Sequence, residues 1–268
     1  MIFWKRKLPQ LLIFCSLSLL MILLPVIASN LEDFARTLSF VPSLFQTYVS
    51  SPDKSYVVTK KATCFPLMVR LLPEKDLRFF VVNYHALTLR DSLGNIIAEV
   101  DTGSVLRNAE DTVITIRVKV FRKNPAIDIA LLENVGPIPS AFKIETTGIL
   151  IDLNVQTDPL VGEKIFYSGF PLLLGEDTTL KQNYPLVING SVSQVLSNKP
   201  DFIVQAPIFS GASGSPIMSQ NDGRFLGVIF GSVPKQESLL YALKANIIRI
   251  WITKILLETI RQTVPQKK

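Results

Sequence analysis

The sequence predicts an all-β protein, two antiparallel β-barrels in tandem followed by a C-terminal helix. Short β-branched and aromatic runs separated by turn residues begin at Tyr56 and recur to Leu243. A Pro- and Gly-containing connector, Pro137 to Ser140, divides them into two series. From Ile247 the apolar spacing changes to a helical period.

In the first series the expected strands are Tyr56 to Thr59, Cys64 to Leu72, Phe79 to Asn83, Ile96 to Val100, Thr112 to Phe121 and Ile127 to Leu132. Pro73 to Asp76 and Asp91 to Gly94 read as hairpin turns. The second series is Thr147 to Leu153, Lys164 to Tyr167, Tyr184 to Ile188, Ser191 to Leu196, Phe202 to Gln205, Pro216 to Met218, Phe225 to Phe230 and Leu239 to Leu243. Asn246 offers an N-cap to a helix over Ile247 to Thr263, with Arg249, Thr253, Glu258 and Arg261 on its polar side and Ile248, Trp251, Ile255 and Ile260 among its apolar positions. Charges within that run argue against a membrane span and for packing across the barrels. The expected organisation is therefore 1–29 a signal or anchor, 30–55 a lead-in with helical turns near Leu31 and after Pro42, 56–140 the first barrel, 141–244 the second, and 245–268 the helix and tail.

The N-terminus carries Lys5, Arg6 and Lys7 ahead of an apolar run from Leu8 to Ala28 that ends in a small residue. This is the layout of a secretory signal, and the run is also long enough to span a bilayer uncleaved. Either way, the positive flank puts everything after it on the extracytoplasmic side, periplasmic, secreted or anchored. The three basic residues also account for half of the net charge of +6. The remainder is nearly balanced and shows no basic, aromatic-interleaved stripe, which excludes a nucleic-acid partner. Of the two cysteines, Cys15 lies in the leader, so Cys64 has no disulfide partner and reads as a buried small hydrophobe.

Three segments carry chemistry. The only histidine, His85, follows Phe79-Phe-Val-Val-Asn83, where a buried strand gives way to a loop or helical turn. Asp128 lies within Ala126-Ile-Asp-Ile-Ala-Leu-Leu132, and an acid among apolar strand residues needs a partner. Ser213 stands between Gly211-Ala212 and Gly214 in a turn that precedes an apolar strand. A serine hydroxyl is a poor nucleophile unless an imidazole takes its proton, and a carboxylate on Nδ1 would hold that imidazole in one tautomer. The Gly211 and Ser213 N–H groups would then face the oxyanion of an acyl transfer.

In the order histidine, aspartate, serine, these segments resemble the trypsin-like serine peptidases, nearest the HtrA-like (Deg) branch. The matching residues are Phe80-Val-Val-Asn-Tyr-His-Ala-Leu87, Ile127-Asp-Ile-Ala-Leu-Leu132 and Gly211-Ala-Ser-Gly-Ser-Pro216, with weaker agreement in Gly162 to Pro171, Ile188 to Ser193 and Phe225 to Gly231. The resemblance implies a chymotrypsin-like pair of six-stranded barrels and a triad of His85, Asp128 and Ser213. It implies an oxyanion hole at Gly211 and Ser213, and a substrate-pairing edge at Phe230, Gly231 and Ser232. It also implies that Pro207 to Ser210 and the surroundings of Phe230 shape the primary pocket. The substrate would be a polypeptide, with no cofactor or metal; oligomers occur in the family, but nothing in this sequence calls for one. Three departures are visible: Ala212 replaces the acid that binds a freed N-terminus in digestive members, Ser215 replaces a frequent glycine, and Tyr84 replaces a frequent small residue. The residues after Ser213 suffice for the last strands and the helix, so no PDZ domain is expected. An inactive peptide-binding barrel and a serine esterase using the same triad are the other readings.

Overall fold

The computed structural model describes residues 42–72, 75–109, 112–142, 148–151, 158–170, 185–236 and 238–263. The expected signal or anchor segment, the expected turn near Leu31 and the tip of the expected Pro73 hairpin turn lie outside the described residues. Among the described residues the chain builds fifteen strands, β1 (Ser43–Ser50), β2 (Val57–Leu72), β3 (Lys75–Asn83), β4 (Thr88–Arg90), β5 (Ile96–Glu99), β6 (Thr102–Ala109), β7 (Thr112–Asn124), β8 (Ile129–Asn134), β9 (Ile149–Ile151), β10 (Lys164–Gly169), β11 (Leu186–Val195), β12 (Asp201–Gln205), β13 (Pro216–Ser219), β14 (Phe225–Ser232) and β15 (Leu239–Lys244), then helix α1 (Ala245–Thr263).

Six of these close the first barrel in the order β1-β6-β7-β8-β3-β2, with β2 returning to β1. All six pairings are antiparallel. Six more, β10-β11-β12-β15-β14-β13, close the second. Closure removes the sheet edges that an open sheet would leave exposed.

Several expectations change here. The segment after Pro42 is not a helical turn but strand β1, because Phe45, Thr47 and Val49 point inward while Tyr48 and Ser50 face solvent, a period of two. The first barrel thus begins within the stretch read as a lead-in. Val57 to Thr59 of the first expected strand and Cys64 to Leu72 of the second are parts of one 16-residue strand. Strand β6 has no counterpart in the sequence reading; Gly103 is required in it because a Cβ there would come within 2.4 Å of the Phe45 ring. The run from Ile96 pairs only with β4, outside the barrel. Strand β9, read as the start of the second series, instead adds to β2 in parallel, so the chain returns to the first barrel before it begins the second.

Each barrel has its own core. Phe45, Cys64, Phe80, Val82, Leu87, Val105, Ala130, Leu132 and Phe142 fill the first, and Ile165, Tyr167, Val192, Phe202, Val204, Ile217, Leu226 and Ala242 the second. A third cluster joins them. Phe65, Val69, Val81 and Ile149 of the first barrel meet Met218, Phe225, Val228 and Leu243 of the second beneath Ile248, Ile252, Ile255 and Leu256 of α1. The terminal helix therefore packs where both barrels meet, and fully burying each of those side chains contributes roughly 1.5–3 kcal/mol. It begins at Ala245, so Asn246 lies in the first turn rather than at the cap. Arg249 turns inward, buried, and donates to the Asn246 side chain. Among the described residues no helix is long and apolar enough to cross a membrane. Cys64 is a free, fully buried thiol, and burial pushes it far above its ordinary value.

Candidate active site

Strand β3 ends at Asn83, and a single 3-10 turn, Tyr84–Leu87, carries His85 out of the first barrel. The turn is held by one residue. Asp128 accepts the His85 backbone N–H on Oδ1 at 2.9 Å, and its Oδ2 lies 2.7 Å from the ring Nδ1. Its backbone carbonyl accepts from the Tyr84 N–H at 3.0 Å and from Asn83 Nδ2 at 3.1 Å. A carboxylate can only accept, so Nδ1 carries a proton, and in the neutral ring Nε2 keeps its lone pair. The ring is 38% exposed and the acid 24%, which leaves the base reachable and its partner more sheltered.

Asp128 does not sit inside strand β8, as the apolar run suggested. A preceding 3-10 turn, Pro125–Ile127, is capped by Asn124 accepting from the Ala126 N–H, and Asp128 follows it with φ 54° and ψ 40°. Aspartate tolerates this left-handed conformation better than most residues. That single reversal lets both its carboxylate and its carbonyl reach the histidine turn. Tyr84, where a small residue is usual, is buried, and its hydroxyl donates to Glu99 Oε2 at 2.8 Å; Lys123 also donates to Glu99. Burial acts to raise the Glu99 carboxyl, but the Lys123 and Tyr84 hydrogen bonds and the lysine charge outweigh it and hold the group below its ordinary value.

The serine segment belongs to the second barrel. Gly211 and Gly214 adopt φ of +100° and +86°, a region that favours glycine. The loop closes on itself through Ala212 N–H to Phe209 O (3.2 Å) and Ser215 N–H to Ala212 O (3.0 Å). It is fastened to β14 through Gly214 N–H to Ile229 O (2.8 Å) and Ile229 N–H to Ser215 O (3.0 Å). Ala212 packs into the second core, and Tyr167 stacks on Phe209 at 5.8 Å while donating to Pro207 O. Ser213 is half-buried. Among the described residues its hydroxyl makes no hydrogen bond, and neither its N–H nor that of Gly211 donates. The histidine and aspartate are thus joined directly, whereas Ser213 meets the first barrel through its carbonyl, which accepts from the Thr63 N–H at 3.2 Å. Asn83, two residues before His85, lies behind the same loop, its Oδ1 3.6 Å from where a Cβ on Gly214 would stand.

Beside this loop, β14 pairs with β13 only as far as Val228 opposite Pro216. On its other side it continues against β15, Gly231 opposite Tyr241 and Ser232 opposite Leu240, with an irregularity at Phe230. Phe230 to Ser232 therefore offer one edge without a partner strand among the described residues, a template for strand addition. A cavity of about 550 Å³ is lined by Ile208 from the serine segment and by Ser232, Val233, Pro234, Lys235 and Gln236. Of the residues expected around the primary pocket, Ile208 lines this cavity, whereas Phe230 stacks on Tyr241 at 5.9 Å. The supporting roles of Thr63, Asn83 and the Tyr84–Glu99–Lys123 group carried no sequence motif; the one local signal was Asn83-Tyr84 directly ahead of the histidine.

Residues 74–228 match the family model described as trypsin-like peptidase domain. The active form of the Rv3671c protease from M. tuberculosis has a similar fold, with a TM-score of 0.52 at 17% identity over 82% of this chain and 83% of that one. The serine endoprotease from Yersinia pestis aligns with a TM-score of 0.49 at 17% identity over 85% of this chain and 66% of its own. No curated protein sequence matches the chain.

Proposed function

The chain belongs to the trypsin-like peptidase domain family, and from that premise we propose that it is an exported serine endopeptidase acting through an acyl-enzyme. His85 Nε2 takes the proton as Ser213 Oγ attacks the scissile carbonyl. Asp128 keeps the imidazole in the reactive tautomer and stabilises the imidazolium that results. The N–H groups of Gly211 and Ser213 receive the oxyanion. Collapse of the tetrahedral intermediate expels the amine with the proton from His85, and water, deprotonated by the same imidazole, then releases the acyl group.

The observation that carries this reading is the two-point grip of Asp128 on His85, at 2.9 Å to the backbone and 2.7 Å to the ring. A histidine serving only the fold has no need of a carboxylate that fixes the turn and the tautomer together. The open edge at Phe230, Gly231 and Ser232 supports an extended polypeptide as substrate, and the basic, then apolar, N-terminal stretch supports export. A fluorophosphonate probe tests the reading. Wild type should be labelled at Ser213, and Ser213→Ala and His85→Ala should not; a folded wild type that stays unlabelled overturns it.

A further inference from the structure

The proposed oxyanion donors are on the second barrel, but the peptides next to those that carry them are held from the first. Thr63 lies in the middle of β2 and is completely buried. Its hydroxyl donates to Gly211 O at 2.8 Å, and its backbone N–H donates to Ser213 O at 3.2 Å. The hydroxyl has one proton, and its acceptor side is taken by the Phe170 N–H at 2.9 Å. A carbonyl oxygen can only accept, so that one proton points at Gly211. The β2 backbone is also flush with the loop, since a Cβ on Gly214 would fall 1.9 Å from Thr63 O.

The restraint matters because the loop's own bonds and those to β14 tie it to the second barrel only, whereas His85 stands on the first. Gly211, at φ +100°, has several backbone states of similar energy, and Ala212 has no side-chain group that could tether it. Gly211 O shares its peptide with the Ala212 N–H and Ser213 O with the Gly214 N–H, so the two Thr63 bonds hold the peptides on both sides of the one that carries the Ser213 N–H, and the first of them adjoins the Gly211 N–H. We propose that Thr63 is a positioning residue of the oxyanion hole, holding from the barrel that carries His85 the peptides that adjoin the Gly211 and Ser213 N–H groups. This rests on the serine-peptidase reading above. It assigns to Thr63 no contact with substrate; it acts through the loop.

The test compares Thr63→Val, close in shape but without the hydroxyl, with Thr63→Ser, which keeps it. Three quantities are read on each and on wild type: the second-order rate of fluorophosphonate labelling, kcat and KM on p-nitrophenyl acetate, and the thermal midpoint. Misaiming a hole donor should cost somewhat less than deleting one, so Thr63→Val should lose about 10- to 100-fold in labelling rate and in kcat, with KM within about twofold. Thr63→Ser should recover to within about threefold of wild type. Should Thr63→Val lose its cooperative melt, Thr63→Ala takes its place against Thr63→Ser, with the same expectation. Equal rates in wild type and the hydroxyl-free variant, or equal losses in the serine and valine variants, overturn the role of Thr63 and leave the peptidase reading standing. A folded wild type that reacts with neither reagent overturns both.

Discussion

Replacing Asp128 by asparagine separates the two roles of the carboxylate. The Oδ1 of an asparagine can still accept the His85 backbone N–H, now at 2.9 Å, so the 3-10 turn keeps its anchor. The amide Nδ2 then faces the ring at the position of the present 2.7 Å contact, and it can only donate. Nδ1 must become the acceptor, the ring proton moves to Nε2, and the nitrogen that should receive the Ser213 proton is blocked. Asp128→Asn should therefore change stability by no more than about 1 kcal/mol, because both contacts persist with one reversed. Its reactivity should fall by about 10⁴-fold, or roughly 5 kcal/mol, the loss expected when the wrong tautomer is imposed on such a triad. Asp128→Ala differs in kind: it leaves the backbone N–H and the ring nitrogen without a partner, and at these half-exposed positions should cost a further 1 kcal/mol or so of stability. The assay is the rate of fluorophosphonate labelling at pH 7 beside a thermal melt of each variant. Labelling of folded Asp128→Asn within tenfold of wild type would refute the tautomer argument.

Other expectations concern the surroundings of the site. Gly214→Ala combines φ +86° with a Cβ 1.9 Å from the Thr63 carbonyl, and should cost at least about 3 kcal/mol and abolish labelling, as a melt and the probe would show; a wild-type midpoint would contradict the packing described. Gly231→Ala places its Cβ in open space, so the midpoint should be unchanged and the labelling rate by a small probe preserved, while KM for a peptide rises several-fold if an extended substrate pairs there. The Glu99 carboxyl lies below its ordinary value in the folded protein, so it stabilises the fold above that value and the benefit is lost as pH falls through the lowered one. Denaturant titrations should accordingly find Glu99→Gln about 1 kcal/mol less stable than wild type near pH 7, with the gap closing in acid.

The two-barrel fold was legible in the chain, and the candidate site residues stand out in it more plainly than several of the strands that present them. His85, Asp128 and Ser213 each stand in a short segment whose local pattern, strand end, buried acid or glycine turn, states a need that a distant residue must meet. Asp128 was placed in a strand only because apolar neighbours hide a left-handed turn, and the proline and asparagine before it were the available clue. Strand β6 was not legible, since Thr102 to Ala109 mixes glycine, asparagine and arginine in a way that no propensity favours. There Arg107 is buried: it donates to Ser43 Oγ at 3.2 Å and Phe142 O at 2.6 Å and lies 4.2 Å above the Phe142 ring. Burial lowers it to about 10, so it crosses the barrel wall still charged at neutral pH. Such a residue reads as surface until its partners, far away in sequence, are known. Thr63 is the same case: it meets Gly211 across 148 positions, and one threonine in an apolar strand announces nothing.

Incubation of the folded protein with an unstructured polypeptide such as β-casein, followed by mass spectrometry of the products, addresses the peptidase claim most directly. Internal cleavage by wild type, absent from Ser213→Ala at the same concentration, is the predicted result. An intact polypeptide with both proteins, or equal cleavage by both, would contradict it.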